Sequence, residues 1–288
     1  MRDIQQALEE HKAAVLKQYP EDKLLGVFAY GSMNYGTYIK GISDVDTKAI
    51  LIPSFGDLIL REPVSKEIHL ANDEHCEVKD IRELVKMFKK QNINFLEILY
   101  TDYCWVNPFY KEVWEDTFIK NRDKIVYYDV NKAIQSICGQ AIQTIKQNPL
   151  NGKKISNCFR LYYFLADYTS GKPYRECIKQ PQEKLDFLTE LKLQESLPDS
   201  TKADELLAAF TQIKELDVAM DDEAKHIRNI AEVSMEIGLR RLIRLYDDFW
   251  SIHSNNRRML WTKKKYKGTY IKFIDDTLLN INGEPIKM

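Results

Sequence analysis

The sequence predicts an α+β protein in which a mixed sheet flanked by helices is followed by a mainly helical C-terminal domain. Strand-like runs, apolar or alternating, lie near residues 24–30, 43–52 and 74–80, all in the first part of the chain. From about residue 106 onward, apolar residues recur mostly at helical spacing. We therefore predict a core domain at residues 1–105 and a helical domain at residues 106–288 that ends in a short basic β-like tail.

The elements of the core domain follow in order along the chain. Residues 2–19 have the spacing of an amphipathic helix, and the apolar run at 24–30 is typical of a buried strand. After the strand at 43–52, the stretch 53–72 is predicted to be a loop with a short strand around 67–70. Asp80 ends the strand at 74–80 and is expected to cap a helix. The apolar face of that helix contains Ile81, Leu84, Val85 and Phe88.

The C-terminal domain is predicted to be a series of helices. Their expected positions are near 109–120, 129–147, 153–170, 181–192, 202–219 and 221–250. Residues 194–200 are predicted to form a loop, residues 266–274 a strand and residues 280–283 a turn. A basic cluster at 257–267 contains Trp261 and Tyr266. A surface hairpin is the preferred interpretation of this cluster, and a nucleic-acid contact is the alternative.

Composition argues against a membrane protein and against a disulfide-bonded secreted protein. No apolar run approaches the roughly 18 residues of a membrane span. The charged N-terminal segment does not resemble a signal peptide, so we expect a cytoplasmic protein without a membrane partner. The five cysteines are widely spaced and lack a Cys-x-x-Cys pair, so neither a disulfide framework nor a zinc site is expected. With 42 basic and 43 acidic residues, net charge provides no bulk attraction to nucleic acid.

The clearest indication of function in the sequence is a short loop followed by two carboxylates. Gly31 and Ser32 follow the first strand in a tight turn, where backbone N–H groups could face a phosphate. Asp44 and Asp46 lie on the next predicted strand, and side chains two residues apart point to the same face of a strand. Such a pair of carboxylates suits Mg²⁺. Taken singly, a Gly-Ser turn and an Asp-x-Asp pair are also common structural features.

The order of a Gly-Ser turn, a short spacer and Asp-x-Asp on a strand resembles the DNA polymerase β-like nucleotidyltransferase superfamily. Further similarity lies at residues 77–84, 92–100, 153–161 and 171–177. Together these segments resemble a predicted nucleotidyltransferase family of bacteria and phages, whose members combine a palm-like core with a helical C-terminal part. The resemblance covers about residues 22–180. If the chain is phage-encoded, the expected location is the cytoplasm of the host.

The resemblance implies a third carboxylate on a neighbouring strand. Glu77 is the preferred candidate, because its apolar neighbours in the sequence would then face inward. Asp73, Glu74 and Asp80 remain alternatives, since a slip of one residue reverses the faces of a strand.

The implied activity is that of a metal-dependent nucleotidyltransferase. Asp44, Asp46 and Glu77 would bind two Mg²⁺ ions, or Mn²⁺ in their place, and act in catalysis. A nucleoside triphosphate such as ATP would donate its nucleoside monophosphate to an acceptor hydroxyl, with release of pyrophosphate. Gly31 and Ser32 would contact the β- and γ-phosphates.

Basic residues of the helical domain are the implied ligands of the triphosphate. Lys153, Lys154 and Arg160 lie in the second segment of resemblance, although helix-surface charge is an equal alternative for them. Within the core, Lys48 and Lys79 share faces with the carboxylates and are expected to balance charge.

Two other functions remain open. One is a module that binds or senses a nucleotide or nucleic acid without chemistry. The other is a toxin-type nucleotidyltransferase that modifies tRNA or a protein. The sequence does not identify the acceptor, which is RNA, protein or a small molecule, nor does it predict the oligomeric state.

Overall fold

The computed structural model describes residues 4–70, 74–147, 149–195, 201–253, 272–274 and 277–279. It confirms an α+β fold with a mixed sheet and a mainly helical C-terminal region. The strands of the main sheet are β1 (Leu24–Tyr30), β2 (Asp46–Leu51), β3 (Ser65–His69), β4 (His75–Asp80) and β5 (Cys104–Val106). Their spatial order is β3-β4-β2-β1-β5, with β2 and β4 parallel and the other neighbours antiparallel.

The helices surround this sheet. The first part of the chain forms α1 (Ile4–Leu16), α2 (Ser32–Tyr35), α3 (Phe55–Leu60), α4 (Ile81–Lys89) and α5 (Ile93–Leu96). The C-terminal region forms α6 (Pro108–Trp114), α7 (Arg122–Val126), α8 (Val130–Ile145), α9 (Gly152–Thr169), α10 (Tyr174–Ile178), α11 (Gln182–Lys192), α12 (Thr201–Lys214) and α13 (Asp222–His253). Short 3₁₀ turns occur at Glu21–Lys23 and Glu97–Leu99, and a π-helical segment, Glu115–Ile119, follows α6. Near the C-terminus, β6 (Lys272–Ile274) pairs antiparallel with β7 (Thr277–Leu279).

Both faces of the sheet are covered, which explains why β1 is an almost continuous apolar run. One face packs against α1, where Leu8 and Val15 join a cluster with Val27 of β1. The other face carries Phe28 and Ile50 into a larger cluster with α4, α5 and the C-terminal helices. This cluster continues across residue 105, so the two predicted parts share one core. The boundary at residue 105 stays a prediction.

Most of the predicted elements are confirmed. Strands β1, β2 and β4 lie at the three predicted positions, and helices α8, α9, α11, α12 and α13 lie at five of the predicted helical positions. The predicted apolar face of α4 is buried, and the Asp80 carboxylate caps this helix by accepting a hydrogen bond from Arg82 N–H at 2.8 Å. Within the part of the chain that the structure describes, no helix combines the length and apolarity that crossing a membrane requires.

Part of the predicted loop after residue 53 is a helix, so that prediction was wrong there. Ser54 and Asp57 form a capping box that starts α3, in which each side chain accepts a hydrogen bond from the other residue's backbone N–H. The short strand expected around 67–70 is β3, which begins at Ser65. The basic cluster at 257–267 and the turn at 280–283 lie outside the described residues.

Candidate functional site

The candidate site lies at the edge of the sheet where β1 ends and where β2 and β4 begin. Tyr30, the last residue of β1, pairs with Asp46, the first residue of β2. In the parallel pair of β2 and β4, Lys48 lies opposite Glu77. The residues that alternate with these, such as Cys76, are buried against α1. Asp46, Lys48 and Glu77 therefore share the face that is directed toward the C-terminal helices.

A tight turn follows β1 at this edge. Gly31 has φ 80° and ψ −140°, a conformation that is strained for any residue with a side chain. The helix α2 makes a single turn and ends at Gly36, which is left-handed. The predicted turn at Gly31 and Ser32 is thus confirmed as a backbone feature. The Gly31 N–H donates to Glu97 Oε2 at 3.2 Å, so it already has a protein partner.

Glu97 holds this turn in place from the buried side. Glu97 was not identified as a site residue from the sequence. Its side chain is fully buried and also accepts hydrogen bonds from Asn34 Nδ2 at 3.2 Å and from the Tyr35 hydroxyl at 2.7 Å. Burial raises the pKa of Glu97, while the Tyr35 hydrogen bond and the Arg160 charge oppose the shift. A buried acid 66 residues away in the sequence therefore holds the turn in place.

The three basic residues predicted to bind a triphosphate lie in different environments. Lys153 Nζ is 3.4 Å from Asp44 Oδ2, and its side chain is largely exposed. Lys154 Nζ instead donates to the Pro149 carbonyl at 2.7 Å, away from the carboxylates. Arg160 is 95% buried, because its guanidinium stacks 3.6 Å above the Tyr35 ring and donates to Asn157 Oδ1. Of the three, only Lys153 contacts a predicted site carboxylate.

Lys192 at the end of α11 is a further basic residue of the site. Its ammonium group donates to the Thr37 carbonyl at 3.1 Å and to Ser43 Oγ at 2.7 Å, and so it holds the loop that carries Asp44. Burial lowers the pKa of Lys192, and the charge of Lys153 lowers it further, while Asp44 opposes the shift. Lys192 lies in no motif, so only the packing of α11 against the core domain identifies it.

Asp44 and Asp46 lie close to each other, although only Asp46 belongs to β2. The strand begins three residues later than expected, and Asp44 lies in the preceding loop with its side chain 32% exposed. Burial raises the pKa of Asp46, His75 opposes this and the charge of Asp44 adds to it. His75 Nε2 is 3.2 Å from Asp46 Oδ1, outside hydrogen-bonding geometry, and this buried oxygen accepts no hydrogen bond.

Glu77 lies on the predicted face but contacts lysines. Its Oε2 accepts a hydrogen bond from Lys48 Nζ, and its Oε1 is 3.0 Å from Lys79 Nζ. The Lys48 ammonium is almost fully buried and lies 3.8 Å from the centroid of the Tyr30 ring and 4.1 Å from that of Phe95. Burial opposes ionisation of Glu77, but the charge and hydrogen bond of Lys48 prevail and lower its pKa. Glu77 is thus an ionised carboxylate between two lysines, and burial lowers the pKa of Lys48 while the Glu77 charge and hydrogen bond oppose that shift.

Two of the three predicted metal ligands are suited to bind a divalent cation. Asp44 and Asp46 supply two carboxylates whose charges interact, and Asp46 Oδ1 accepts no hydrogen bond but lies 3.2 Å from His75 Nε2, so a metal ion there would have to displace this imidazole. Glu77 does not fit this role here, because both of its oxygens lie next to lysine ammonium groups. In the described ranges, no group of three or more His, Cys, Asp or Glu side chains is arranged to hold a metal ion.

Two comparisons with known proteins were made for the whole chain. Neither a scan against protein-family models nor a search of curated proteins found a match.

Proposed function

We propose that the chain is a metal-dependent nucleotidyltransferase. It would transfer a nucleoside monophosphate from a nucleoside triphosphate to an acceptor hydroxyl. The observation that carries the proposal is the convergence, at one sheet edge, of the turn after β1 with Asp44 and Asp46. The resemblance of the Gly-Ser and Asp-x-Asp pattern to the polymerase β-like superfamily supports it. A palm-like core of that superfamily is likewise part of the proposal.

Asp44 and Asp46 are the proposed metal ligands. Mg²⁺ usually takes one or two protein carboxylates and completes its shell with water and substrate phosphate, which matches a pair of neighbouring aspartates. When bound, the ion would stabilise charge on the phosphoryl oxygens and favour ionisation of the acceptor hydroxyl. Two ions, as the resemblance implies, stay a prediction.

The basic residues around Asp44 are the proposed triphosphate ligands. Lys153 is exposed, and its ion pair with Asp44 is of the surface type that contributes little stability. A triphosphate can therefore draw Lys153 away at small cost. Lys192 holds the loop between Thr37 and Ser43, and so it fixes the position of Asp44. The Ser32 hydroxyl remains a candidate phosphate donor, whereas the Gly31 N–H is bonded to Glu97.

The proposed reaction is an in-line displacement at the α-phosphorus. The acceptor oxygen forms a bond to this phosphorus while the bond to the α–β bridging oxygen breaks. The bridging oxygen leaves as part of pyrophosphate, and the hydroxyl proton passes to solvent. The contribution of the chain is to hold the triphosphate and the reacting phosphorus in position.

A nucleotide-binding module without chemistry is the second candidate. One observation favours it, because each predicted carboxylate already has a basic side chain beside it. Lys153 lies beside Asp44, His75 beside Asp46, and two lysines beside Glu77. Carboxylates that already have basic neighbours depend less on a metal ion to offset their charge, so binding and transfer have to be measured separately.

The test is label transfer from each α-labelled nucleoside triphosphate, with Mg²⁺ or Mn²⁺, to separate pools of tRNA, other RNA, DNA and cell protein. The Asp44→Asn/Asp46→Asn variant is expected to lose transfer. The matched control is Asp116→Asn, which removes a surface carboxylate paired with Lys120 and is expected to retain it. Triphosphate binding without any transfer would favour the binding module. Absence of both binding and transfer would contradict both candidates.

A further inference from the structure

The pairing of Lys48 with Glu77 has a consequence for how many metal ions the site takes. We propose that the Lys48 ammonium is a built-in cation at Glu77, so that the site takes one divalent ion, at Asp44 and Asp46. The inference rests on the proposed function, since it concerns the same site. Glu77 would then be the partner of Lys48 rather than a metal ligand.

The register of the sheet imposes this pairing. In the parallel pair of β2 and β4, Lys48 lies directly opposite Glu77, and both side chains are on the face toward the C-terminal helices. Lys48 donates to one oxygen of Glu77, and Lys79 lies 3.0 Å from the other. A divalent ion at Glu77 would have to displace an ammonium group from each oxygen that it used.

The surroundings of Lys48 stabilise its ammonium group beside Glu77. The residue is 1% exposed, and the ammonium lies over the Tyr30 and Phe95 rings at 3.8 and 4.1 Å. Aromatic faces stabilise a cation, and they do so more strongly when it is removed from water. If a metal ion displaced Lys48 from Glu77, the ammonium would remain buried without a carboxylate partner, which is strongly unfavourable.

The local charge also favours a single ion. Within contact distance of Glu77, two ammonium groups face one carboxylate, while Glu97 acts on Lys48 from farther away and Glu67 lies opposite Glu77 in the pairing of β3 with β4. A divalent cation placed there would be repelled by Lys48 and Lys79, most strongly where water is excluded. Fixed positive charge of this kind stabilises negative charge that develops on a phosphoryl group. The arrangement therefore suits an ammonium group in the place of one metal ion.

Binding of Mn²⁺ alone tests the inference without relying on activity. Free Mn²⁺ is followed by electron paramagnetic resonance during titration of the full-length protein. We expect one Mn²⁺ per chain. Glu77→Gln should change its dissociation constant by less than about twofold, whereas Asp46→Asn should weaken binding by about tenfold or more.

A variant that is expected to bind an additional Mn²⁺ provides a second test. In Lys48→Met, Glu77 loses its buried partner and becomes available, so a second Mn²⁺ per chain is expected. Lys79→Met is the matched control, because it leaves the Lys48 pair intact and should still bind one ion. The double variant Lys48→Met/Glu77→Gln should return to one ion.

The outcomes separate this inference from the proposed function. Two ions in the wild type, with one lost in Glu77→Gln, would overturn the inference and leave the transferase proposal standing. A single ion that is lost in Glu77→Gln would also overturn it. No bound Mn²⁺ together with no label transfer would contradict both. Folding of every variant is checked by circular dichroism. If Lys48→Met does not fold, the comparison of wild type, Glu77→Gln and Asp46→Asn decides. If Glu77→Gln does not fold, the double variant Lys48→Met/Glu77→Gln, which leaves no buried charge, replaces it in that comparison.

Discussion

The burial of Lys48 and Glu77 predicts that the two halves of this ion pair differ in their effect on stability. Lys48 is 1% exposed, whereas the Glu77 side chain is 26% exposed and has Lys79 as a second partner. Glu77→Gln leaves a buried ammonium without a carboxylate. Lys48→Met leaves a partly hydrated carboxylate that is still paired. We therefore expect Glu77→Gln to be the more destabilising change.

The magnitudes follow from these environments. Removal of one partner of a buried pair costs 3–5 kcal/mol in general, and Glu77→Gln should cost about 3 kcal/mol because the glutamine carbonyl still accepts one hydrogen bond. In Lys48→Met, the methionine occupies the same space against Tyr30 and Phe95 and makes favourable sulfur–aromatic contacts. The loss should then be about 1 kcal/mol, as for a solvent-accessible ion pair. The double variant leaves no buried charge, so it should lose about 1 kcal/mol as well, less than the sum of the single changes.

Urea unfolding of the wild type, the two single variants and the double variant is followed by far-ultraviolet circular dichroism. It measures how far each variant differs from the wild type in unfolding free energy. The slope of the unfolding free energy against urea should stay constant, so that differences in midpoint report stability. A larger loss in Lys48→Met than in Glu77→Gln would refute the reasoning. Additive losses in the double variant would show that the two side chains are not coupled.

Three further predictions concern residues outside the proposed metal site. Burial opposes ionisation of Asp57, but hydrogen bonds led by that from Lys23 prevail and lower its pKa to about 2. The ionised Asp57 therefore contributes fully to stability above the unfolded-state pKa of about 4, and this contribution is lost as the pH falls through about 2. In Asp57→Asn, the unfolding free energy should decrease less steeply with falling pH over this range. Gly152→Ala should destabilise the protein by about 1–3 kcal/mol, since its Cβ would lie 2.0 Å from a carbonyl oxygen at the end of α11. Its matched control, Gly139→Ala in α8, meets no atom within 4 Å and should stabilise the protein by about 0.5–1 kcal/mol; thermal unfolding that ranks the two in reverse would contradict the packing. Cys104 is the exposed one of the five free cysteines, so a thiol reagent should label it first in the native protein and the other four only on unfolding, as peptide mapping of the label would show.

Local patterns account for the parts of the fold that could be predicted. The apolar run of β1 and the alternation of β4 mark strands whichever partners they have, and the face of α4 follows from helical spacing. The helix α3 was missed because Pro53 and Gly56 suggested a turn, although Ser54 and Asp57 have the spacing of a capping box. A closer examination of that spacing would have found it.

Long-range packing accounts for what could not be predicted in the site. The sequence placed Lys48 and Lys79 on carboxylate-bearing faces, but the contact of Lys48 with Glu77 depends on the register of β2 against β4. Arg160 was expected to face the triphosphate, yet it stacks on Tyr35 because α9 packs against the turn after β1. Nothing in the local sequence of Lys192 links it to Ser43. These contacts become visible only when the helices are placed on the sheet.

The hydrogen bonds that hold the turn and the loop of the site also set the order in which it can form during synthesis. Glu97 is 66 residues beyond Gly31, and Lys192 is 149 residues beyond Ser43. At about 5–20 residues per second, the ribosome needs between about 7 and 30 s to proceed from Ser43 to Lys192. During that interval the nascent chain already contains Asp44 and Asp46 but lacks the side chain that holds the loop of Asp44. The loop before β2 can therefore gain its contact with Lys192 only after all strands of the main sheet, which end at Val106, have been synthesised.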